Sequence, residues 1–215
     1  MTSQPPTADE LRAAFDAAEP FTVGLEEELM LLDPASHDLA PRASEVLGVA
    51  PADGRFKLEL PAAQLEIRLS PRRSVGEATR ELAAARRTLS GVTEGMVRLA
   101  AAGVHPFAAP EGELNGGERY DRTLSEYGSL ARRQLVFALQ VHVAVGDAER
   151  TLAVYNALRS HLPELAALAA NAPLHDGRDT GLASVRPKIA ELLPRQGVPP
   201  ALTSWEEYSD ALRWG

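Results

Sequence analysis

Three consecutive glutamates, Glu26, Glu27 and Glu28, interrupt an apolar stretch that reads FTVGLEEELML. Apolar residues on both sides are typical of a buried strand. Successive side chains of a strand alternate between its faces, so Glu26 and Glu28 share one face and Glu27 points to the other. Two carboxylates ~7 Å apart along a strand suit a hard cation such as Mg²⁺. From this strand alone, the favoured alternative is a solvent-facing surface on which both acids are hydrated.

Two further glutamates, Glu59 and Glu66, lie among apolar neighbours in FKLELPAAQLEIRLS (56–70). This segment reads as two short strands separated by Pro61, which cannot donate a hydrogen bond to a sheet. The odd spacing would place the two acids on opposite faces of one regular strand. Only a bulge or bend at Pro61-Ala-Ala would therefore bring both to one site. The alternative is that one or both pair with an arginine such as Arg68.

One histidine, His142, lies in the alternating segment LVFALQVHVAVG (135–146). Its face of the expected strand carries Ala138, Gln140 and Ala144, whereas the other face is aliphatic. The small neighbours leave space for a ligand, and histidine is a common metal ligand. A satisfied polar histidine without a ligand is an equal alternative.

Two arginines lie in polar segments that suit anion binding. Arg119 follows Gly116-Gly117, where backbone N–H groups and a guanidinium fork could approach a phosphate. Arg186 follows Ser184 in DTGLASVRP, a pattern that suits a carboxylate clamp. For each of them, a surface arginine without a ligand is the favoured alternative on these residues alone.

Composition excludes several classes of protein. The net charge of -8 argues against non-specific nucleic-acid binding. The absence of cysteine excludes disulfides, thiolate metal sites and cysteine nucleophiles. No signal peptide is visible, and no apolar run reaches the ~18 residues that a membrane span needs. We therefore expect a cytoplasmic protein that binds neither nucleic acid nor membrane.

The elements that must position these residues follow an α+β pattern. A strand is expected over 21–32, and the polar segment 103–128 is expected to be a functional loop. Helices are expected over 74–102, 148–161 and 163–171 and from a capping box at Ser204 and Glu207 onward. Residues 1–10 are expected to form a flexible lead to a single domain that covers 1–215.

Taken in order, these segments resemble the bacterial glutamate–cysteine ligase type 2 family, the carboxylate–amine ligases, which are related to glutamine synthetase by fold. The motifs that carry the resemblance are FTVGLEEELML, KLELPAAQLEI, GVHPF, ERYDRTLSEYG, VHVAVG, DTGLASVRP and SWEEY. They cover nearly the whole chain, and their common order makes the match specific. The resemblance implies an α+β fold with a curved, mainly antiparallel sheet flanked by helices.

The resemblance also implies an activity that uses ATP and Mg²⁺. In such families ATP phosphorylates the γ-carboxylate of glutamate, and the amine of cysteine or a similar amine attacks the acyl phosphate, as in glutathione-type biosynthesis. Magnesium ions bridge the phosphates and neutralise developing charge.

The resemblance assigns roles to individual residues. The implied metal ligands are Glu26, Glu28, Glu66 and His142. The implied catalytic residues are Glu59, in a metal-site or substrate-site position, and Arg186, which would hold the glutamate substrate. The implied nucleotide-binding residues are His142, beside the phosphates, and Arg119, in a segment near the nucleotide and amino-acid pockets.

Three departures from the family pattern bear on function. Gln140-Val-His142-Val-Ala144 stands where His-x-His-x-Gly is common, and Glu59 replaces the more usual aspartate. Family proteins also continue beyond this length, with a later strand that supplies another metal-binding glutamate. We therefore expect an incomplete catalytic domain. The alternative function is a non-catalytic or split-enzyme module that keeps part of the site and binds a partner, either a second copy or a complementing C-terminal segment.

Overall fold

One long strand, β1 (Val23–Leu32), organises the main sheet. The computed structural model describes residues 6–194 and 196–213. The other strands of this sheet are β2 (Phe56–Leu58), β3 (Gln64–Arg68), β4 (Arg98–Ala100) and β5 (Leu139–Val143). A separate two-stranded ribbon consists of β6 (Leu174–His175) and β7 (Arg178–Asp179).

Helices flank the sheet. One precedes β1 in the chain, and the others lie between the strands of the sheet or after them. The helices are α1 (Ala8–Asp16), α2 (Ala43–Val49), α3 (Val75–Val92), α4 (Glu118–Tyr127), α5 (Ser129–Arg132), α6 (Ala148–Leu158), α7 (Leu162–Leu168), α8 (Arg186–Ala190) and α9 (Trp205–Arg213). A 3₁₀ turn, Arg159–His161, joins α6 to α7. No helix among the described residues is long and apolar enough to span a membrane.

All pairings of the main sheet are antiparallel, with β1 at the centre. Strand β3 lies along one side of β1, and β2 lies outside β3. The other side of β1 is shared, because β5 pairs with Val23–Glu27 and β4 pairs with Met30–Leu32. The fold class that the resemblance implied, a mainly antiparallel sheet flanked by helices, is confirmed.

The core lies between one face of the sheet and α3. Leu25, Leu29 and Leu31 of β1 are buried there, on the face that strand alternation assigns to Glu27. Helix α3 packs against them with a stripe of small and aliphatic residues, Ala78, Leu82, Ala85 and Leu89. At the β5 end of β1 the opposite face carries polar side chains, whereas Met30 is buried on that face near β4.

The helix expected over 74–102 is wrong at its C-terminal end. Ser74 does cap α3, since its hydroxyl accepts from the N–H of Glu77 at 3.2 Å, but the helix ends at Val92. Gly95 adopts a left-handed backbone with φ of +77° and turns the chain back towards the sheet. Residues Arg98–Ala100 then form β4, because half of one side of β1 is open to pairing there.

The loop expected over 103–128 contains a helix. Gly117, with φ of +129°, precedes α4, and Gly128, with φ of +56°, ends it. The helix is strongly polar in composition and buries none of its own side chains, so its sequence was interpreted as a loop.

Strand β5 is shorter than the expected 135–146, and its aliphatic face is open. Leu139, Val141 and Val143 are 53%, 61% and 53% exposed. Helix α3 packs mainly against β1 and β3 on that side of the sheet. In the described part of the chain, β5 therefore presents an apolar surface on its α3 side.

The first and last helices pack against each other. Thr7 caps α1 through a capping box with Glu10, and the Ser209 hydroxyl of α9 donates to the carbonyl of Pro6 at 2.8 Å. The cap expected at Ser204 is present, because its hydroxyl accepts from the N–H of Glu207 at 3.3 Å, but the Glu207 carboxylate accepts from the N–H of Thr203 at 2.6 Å and not from Ser204 as a full capping box requires. Of the expected flexible lead, residues 1–5 lie outside the described part, and α1 begins at Ala8.

Candidate metal and nucleotide site

The polar face of the sheet gathers the glutamates and the histidine. Residues that oppose each other in antiparallel strands share a face. Glu66 of β3 is opposite Glu28, and His142 of β5 is opposite Gly24, two residues before Glu26. Glu26, Glu28, Glu66 and His142 therefore lie on one face.

A hairpin brings Glu59 to the same face. In the β2–β3 hairpin Lys57 is opposite Glu66, and Glu59 follows Lys57 by two residues, so alternation gives all three the same side. The turn contains Pro61 and is held by Asn115, whose Nδ2 donates to the carbonyls of Glu59 at 2.7 Å and Pro61 at 3.2 Å. The bend expected at Pro61 is confirmed, and it is a hairpin turn between two strands.

Glu28 lies at the centre of this group of carboxylates. Burial raises the pKa of Glu28 to about 7, and the negative charges of Glu59 and Glu66 add to the increase. The positive charge of Arg186 opposes it, as does the hydrogen bond that Gln140 Nε2 donates to Glu28 Oε1 at 3.1 Å. The negative charge around Glu28 is thus only partly compensated by the protein.

Glu66 experiences the same environment. Burial raises its pKa, the charges of Glu59 and Glu26 add to this effect, and Arg68 and Arg119 oppose it. The side chains of these acids therefore act on each other although they come from three different strands or turns. Such a group binds a cation favourably, because a cation offsets both the repulsion and the lost hydration.

Glu26 links the acids to His142. Its Oε2 lies 3.3 Å from His142 Nε2, and its Oε1 lies 3.4 Å from Arg68 Nε. Arg68 therefore forms its ion pair with Glu26, whereas the sequence alternative paired it with Glu59 or Glu66. The His142 side chain is 57% exposed, so it is accessible to a ligand.

Arg186, the first residue of α8, lies near enough to Glu28 for its positive charge to oppose the raised pKa of that carboxyl. Its Nε donates to the carbonyl of Phe137 at 3.0 Å, next to β5. Gly103 makes this approach possible, because a Cβ there would lie 3.2 Å from the Cβ of Ala172 and 3.3 Å from Arg186 Cδ. Gly103 is thus required for close packing behind the site.

Arg119 lies on α4 beside the β2 end of the cluster. The neighbouring Tyr120 hydroxyl donates to the carbonyl of Leu58 at 2.8 Å, and the Arg119 guanidinium carbon lies 5.7 Å from the centre of the Tyr120 ring. Burial raises the pKa of Tyr120, and the negative charge of Glu59 adds to the increase. Helix α4 therefore carries a cation and a phenol to the edge of the carboxylates.

Glu27 is separated from the site, as alternation predicted. It is 2% exposed on the α3 side and forms an ion pair with Arg86, whose Nε lies 2.6 Å from Glu27 Oε2. That side chain holds the strand to the helix.

Sequence reasoning missed two residues of this face. Gln140 was placed on the face of His142 but was given no role, yet it contacts Glu28 directly. Lys57 was not considered, and it lies opposite Glu66. The spacing of two residues between Gln140 and His142 could have indicated a role for Gln140. The position of Lys57 depends on the register of the β2–β3 hairpin.

The donor set fits a hard cation in its chemistry. Carboxylate oxygens predominate, one imidazole accompanies them, and raised pKa values mark negative charge that the protein does not neutralise. Among residues 6–194 and 196–213, no three His, Asp or Glu side chains lie close enough together in this arrangement to hold a metal ion. The arrangement is therefore an open platform of acids.

The sequence matches relatives over most of its length. A protein of Rubrobacter xylanophilus proposed to be a glutamate–cysteine ligase 2-3 is 42% identical over 203 residues, which are 92% of this chain and 56% of the relative. A proposed glutamate–cysteine ligase 2 of Clavibacter michiganensis subsp. michiganensis is 35% identical over 195 residues, 88% of this chain and 51% of the relative. The chain thus spans about half the length of these curated relatives.

A solved structure is similar in fold. The glutamate–cysteine ligase of Francisella tularensis, determined in complex with AMP, superposes with a TM-score of 0.58 over 80% of this chain and 43% of that one, at 12% sequence identity. The family model for glutamate–cysteine ligase family 2 (GCS2) matches residues 22–214. This chain belongs to glutamate–cysteine ligase family 2.

Proposed function

We propose that this chain carries the metal and nucleotide platform of an ATP- and Mg²⁺-dependent ligase, which joins the γ-carboxylate of glutamate to the amine of cysteine or a similar amine. The observation that carries the proposal is a group of four glutamates with Arg186 and His142 at its edges. The four are Glu26, Glu28, Glu59 and Glu66. Family membership and the AMP bound to the Francisella tularensis ligase support the use of a nucleotide.

Each residue of the platform has a role in this proposal. Mg²⁺, when bound, would neutralise the charge of the phosphates as it develops. The residues that would hold it are Glu26, Glu28, Glu66 and His142. Glu59 increases the negative potential that attracts the cation.

Two arginines are assigned to the anionic substrates. Arg186, fixed through its Nε by the carbonyl of Phe137, keeps its other guanidinium nitrogens for the carboxylate of glutamate. Arg119, on the exposed α4, would contact the phosphates of ATP.

The reaction consists of two displacements. A γ-carboxylate oxygen of glutamate attacks the terminal phosphorus of ATP, and ADP leaves. The amine nitrogen then attacks the acyl carbon, phosphate leaves, and the amine loses a proton as the amide bond forms. Positioning and charge neutralisation are the tasks that fall to the protein.

Turnover tests the proposal directly. ADP release is measured with Mg-ATP, glutamate and a panel of amines, for this chain and for a version extended at the C-terminus to the length of its relatives. The expected result is amine-dependent ADP release by the extended protein, lost in Glu28→Gln. An extended protein without turnover on any amine would contradict the ligase proposal.

Metal binding tests the platform without turnover. Mg²⁺ at a hundred times its Kd stabilises a protein by ~2.7 kcal/mol, so it should raise the melting temperature of the wild type. The Glu26→Gln/Glu28→Gln double variant should not respond. An equal increase in both proteins would show that these acids are hydrated surface groups.

A non-catalytic or split-enzyme module is the second candidate. The exposed aliphatic face of β5 favours it, because such a face suits a partner, either a second copy or a complementing segment. Calorimetry that detects a tight protein partner but no binding of Mg-ATP or glutamate would support this candidate. Turnover by this chain alone would eliminate it. Either candidate is expected to act in the cytoplasm.

A further inference from the structure

A groove of about 390 Å³ lies at the C-terminal end of β1. Its lining residue Leu39 pairs with Leu32, the last residue of β1, and the carbonyl of its lining residue Ala63 accepts from the N–H of Leu31 at 2.9 Å. His142 pairs near the start of β1. The groove and His142 are therefore at opposite ends of this strand.

Two buried side chains separate the groove from the acids of the platform. Met30 and Gln64 lie opposite each other on the polar face, directly beyond the opposed pair Glu28 and Glu66. They are only 1% and 3% exposed, so this part of the face is closed to solvent. The residues that line the groove are also different from those of the platform. The groove is therefore a separate site.

The floor of the groove is apolar and consists mainly of small side chains. Ala63, Ala108, Ala109 and Leu135 contribute to it. A Cβ at Gly112 would lie 2.8 Å from Leu135 Cδ2, so a larger residue there would displace the Leu135 side chain. A space of this volume with an apolar floor suits a small ligand that carries an aliphatic group.

Charges of both signs line the groove and do not neutralise each other. Arg132 is the cation of the lining, and its acids are Asp38, Glu111 and Glu113. Glu111 pairs with Arg133 at 3.1 Å, whereas Arg132 and Glu113 form no ion pair in the described part of the chain. An unpaired guanidinium and an unpaired carboxylate therefore line the same groove.

Backbone hydrogen bonds hold these two charges on different segments. The N–H of Gly112 donates to the carbonyl of Arg132 at 2.9 Å, and the N–H of Ala62 donates to the carbonyl of Glu113 at 2.8 Å. Because the main chain is fixed at both positions, the cation and the anion stay apart. A ligand that carries both charges can bridge them with charge-assisted hydrogen bonds.

We propose that the groove binds a free α-amino acid with an aliphatic side chain, at a site separate from the platform and from the substrates of the proposed ligase. Its carboxylate binds the Arg132 guanidinium, whose planar fork matches a carboxylate. Its ammonium group binds Glu113, Asp38 adds negative potential, and its side chain lies on the alanines of the floor. Arg132 repels a simple cation and the acids repel a simple anion, so the lining favours a zwitterion.

Calorimetry with three matched compounds tests the requirement for both charges. The probe is L-valine, while N-acetyl-L-valine lacks its ammonium group and L-valinamide lacks its carboxylate. We expect L-valine to bind about tenfold more tightly than either analogue, because each analogue lacks one charge-assisted contact. Equal affinities of the three compounds, or no binding of L-valine, would overturn the proposal.

Backbone amide resonances locate the bound amino acid. Those of Ala109 and Gly112 should shift with L-valine, whereas that of Gly24, near the other end of β1, should not. A shift at Gly24 without shifts at Ala109 and Gly112 would place the ligand elsewhere and contradict the assignment.

Two variants separate the charges of the groove. Arg132→Gln should weaken the binding of L-valine about tenfold and leave that of L-valinamide nearly unchanged, because the amide offers no carboxylate. Glu113→Gln should likewise weaken L-valine but not N-acetyl-L-valine. Arg87→Gln is the matched control, since Arg87 is an exposed arginine of α3 outside the groove. Equal losses in Arg132→Gln and Arg87→Gln would show that Arg132 does not bind the ligand.

The result is separable from ligase activity. Glu28→Gln, which abolishes turnover in the ligase proposal, should leave the binding of L-valine unchanged. If it weakens L-valine as much as Arg132→Gln does, the amino acid binds at the platform and the groove is not its site. If L-valine binds at the groove but the extended protein has no turnover on any amine, the groove proposal stands and the ligase proposal fails.

Discussion

The carboxylate of Glu27 and the guanidinium of Arg86 form an ion pair between β1 and α3, with Arg86 Nε 2.6 Å from Glu27 Oε2. The flanking carboxylates of Glu26 and Glu28 lie on the other side of the sheet. The three adjacent acids of one strand therefore lie in two different environments. Glu27 joins strand to helix, and its neighbours form the platform.

Glu27→Gln should lower stability and leave Mg²⁺ binding nearly unchanged. Glu27 is 2% exposed, whereas the Arg86 side chain is 46% exposed and keeps part of its hydration. The free energy of unfolding should therefore fall by ~1–3 kcal/mol. Urea denaturation measures the stability, and Mg²⁺ titration measures the binding.

Glu26→Gln is the matched control for this experiment. It should weaken Mg²⁺ binding and cost less stability than Glu27→Gln. If Glu27→Gln reduces Mg²⁺ affinity as much as Glu26→Gln does, the division of this strand into two faces has no functional meaning.

Gln140→Leu should weaken Mg²⁺ binding. Gln140 Nε2 donates to Glu28 Oε1 at 3.1 Å and orients that carboxylate from the neighbouring strand. Loss of a group that orients a metal ligand typically reduces metal affinity about 10- to 100-fold. Calorimetric titration with Mg²⁺ provides the measurement.

Gln134→Leu serves as the control for Gln140. Gln134 is buried and donates to the carbonyls of Leu130 and Ile189, at 3.4 and 3.3 Å, away from the acids. It should lower stability and leave Mg²⁺ affinity intact. Equal Mg²⁺ affinities of the two variants would argue against a positioning role for Gln140.

Stability in the absence of metal should decrease as the pH rises from ~4.5 towards 7. The pKa of Glu28 is raised from 4.5 to about 7 in the folded protein. Between these values the folded state keeps a proton that the unfolded state has lost, so a higher pH favours unfolding. The raised pKa of Glu66 acts in the same direction. Thermal melts across this range should show the decrease, and Mg²⁺ should stabilise more at the upper end.

Glu28→Gln isolates the contribution of this carboxyl to the pH profile. The variant should be less sensitive than the wild type between pH 4.5 and 7. Identical profiles for the two proteins would show that Glu28 titrates normally in the fold.

Gly103→Ala should destabilise the protein and disturb Arg186. The added methyl group would lie 3.2 Å from the Cβ of Ala172 and 3.3 Å from Arg186 Cδ, and it would displace the side chain of Asn171. Such overpacking typically costs ~1–3 kcal/mol. Glutamate affinity, measured by calorimetry, should fall as well because Arg186 is displaced.

Gly91→Ala is the control for Gly103. Gly91 lies in α3 with no atom within 4 Å of the added methyl, so alanine should be neutral or stabilise the helix by ~0.5–1 kcal/mol. If Gly103→Ala is equally well tolerated, the close packing behind Arg186 is not a constraint.

Much of the local structure was predictable from periodicity. The alternation of β1 separated Glu27 from Glu26 and Glu28, and the caps at Ser74 and Ser204 marked two helix starts correctly. The end of α3 was not predictable, because the strand that follows it forms only when the open side of β1 is present. A segment with a weak apolar pattern, such as Arg98–Ala100, becomes a strand because a neighbouring strand pairs with it.

The residue types, their order and their alternation established which side chains could form a site. Which of them meet was set by pairing between distant segments. Glu59 and Glu66 share a face only because β2 and β3 form a hairpin, and Gln140 reaches Glu28 only because β5 pairs with β1. Alternation is a property of each strand alone, whereas register depends on burial and hydrogen bonding across the whole sheet, and short segments do not encode it.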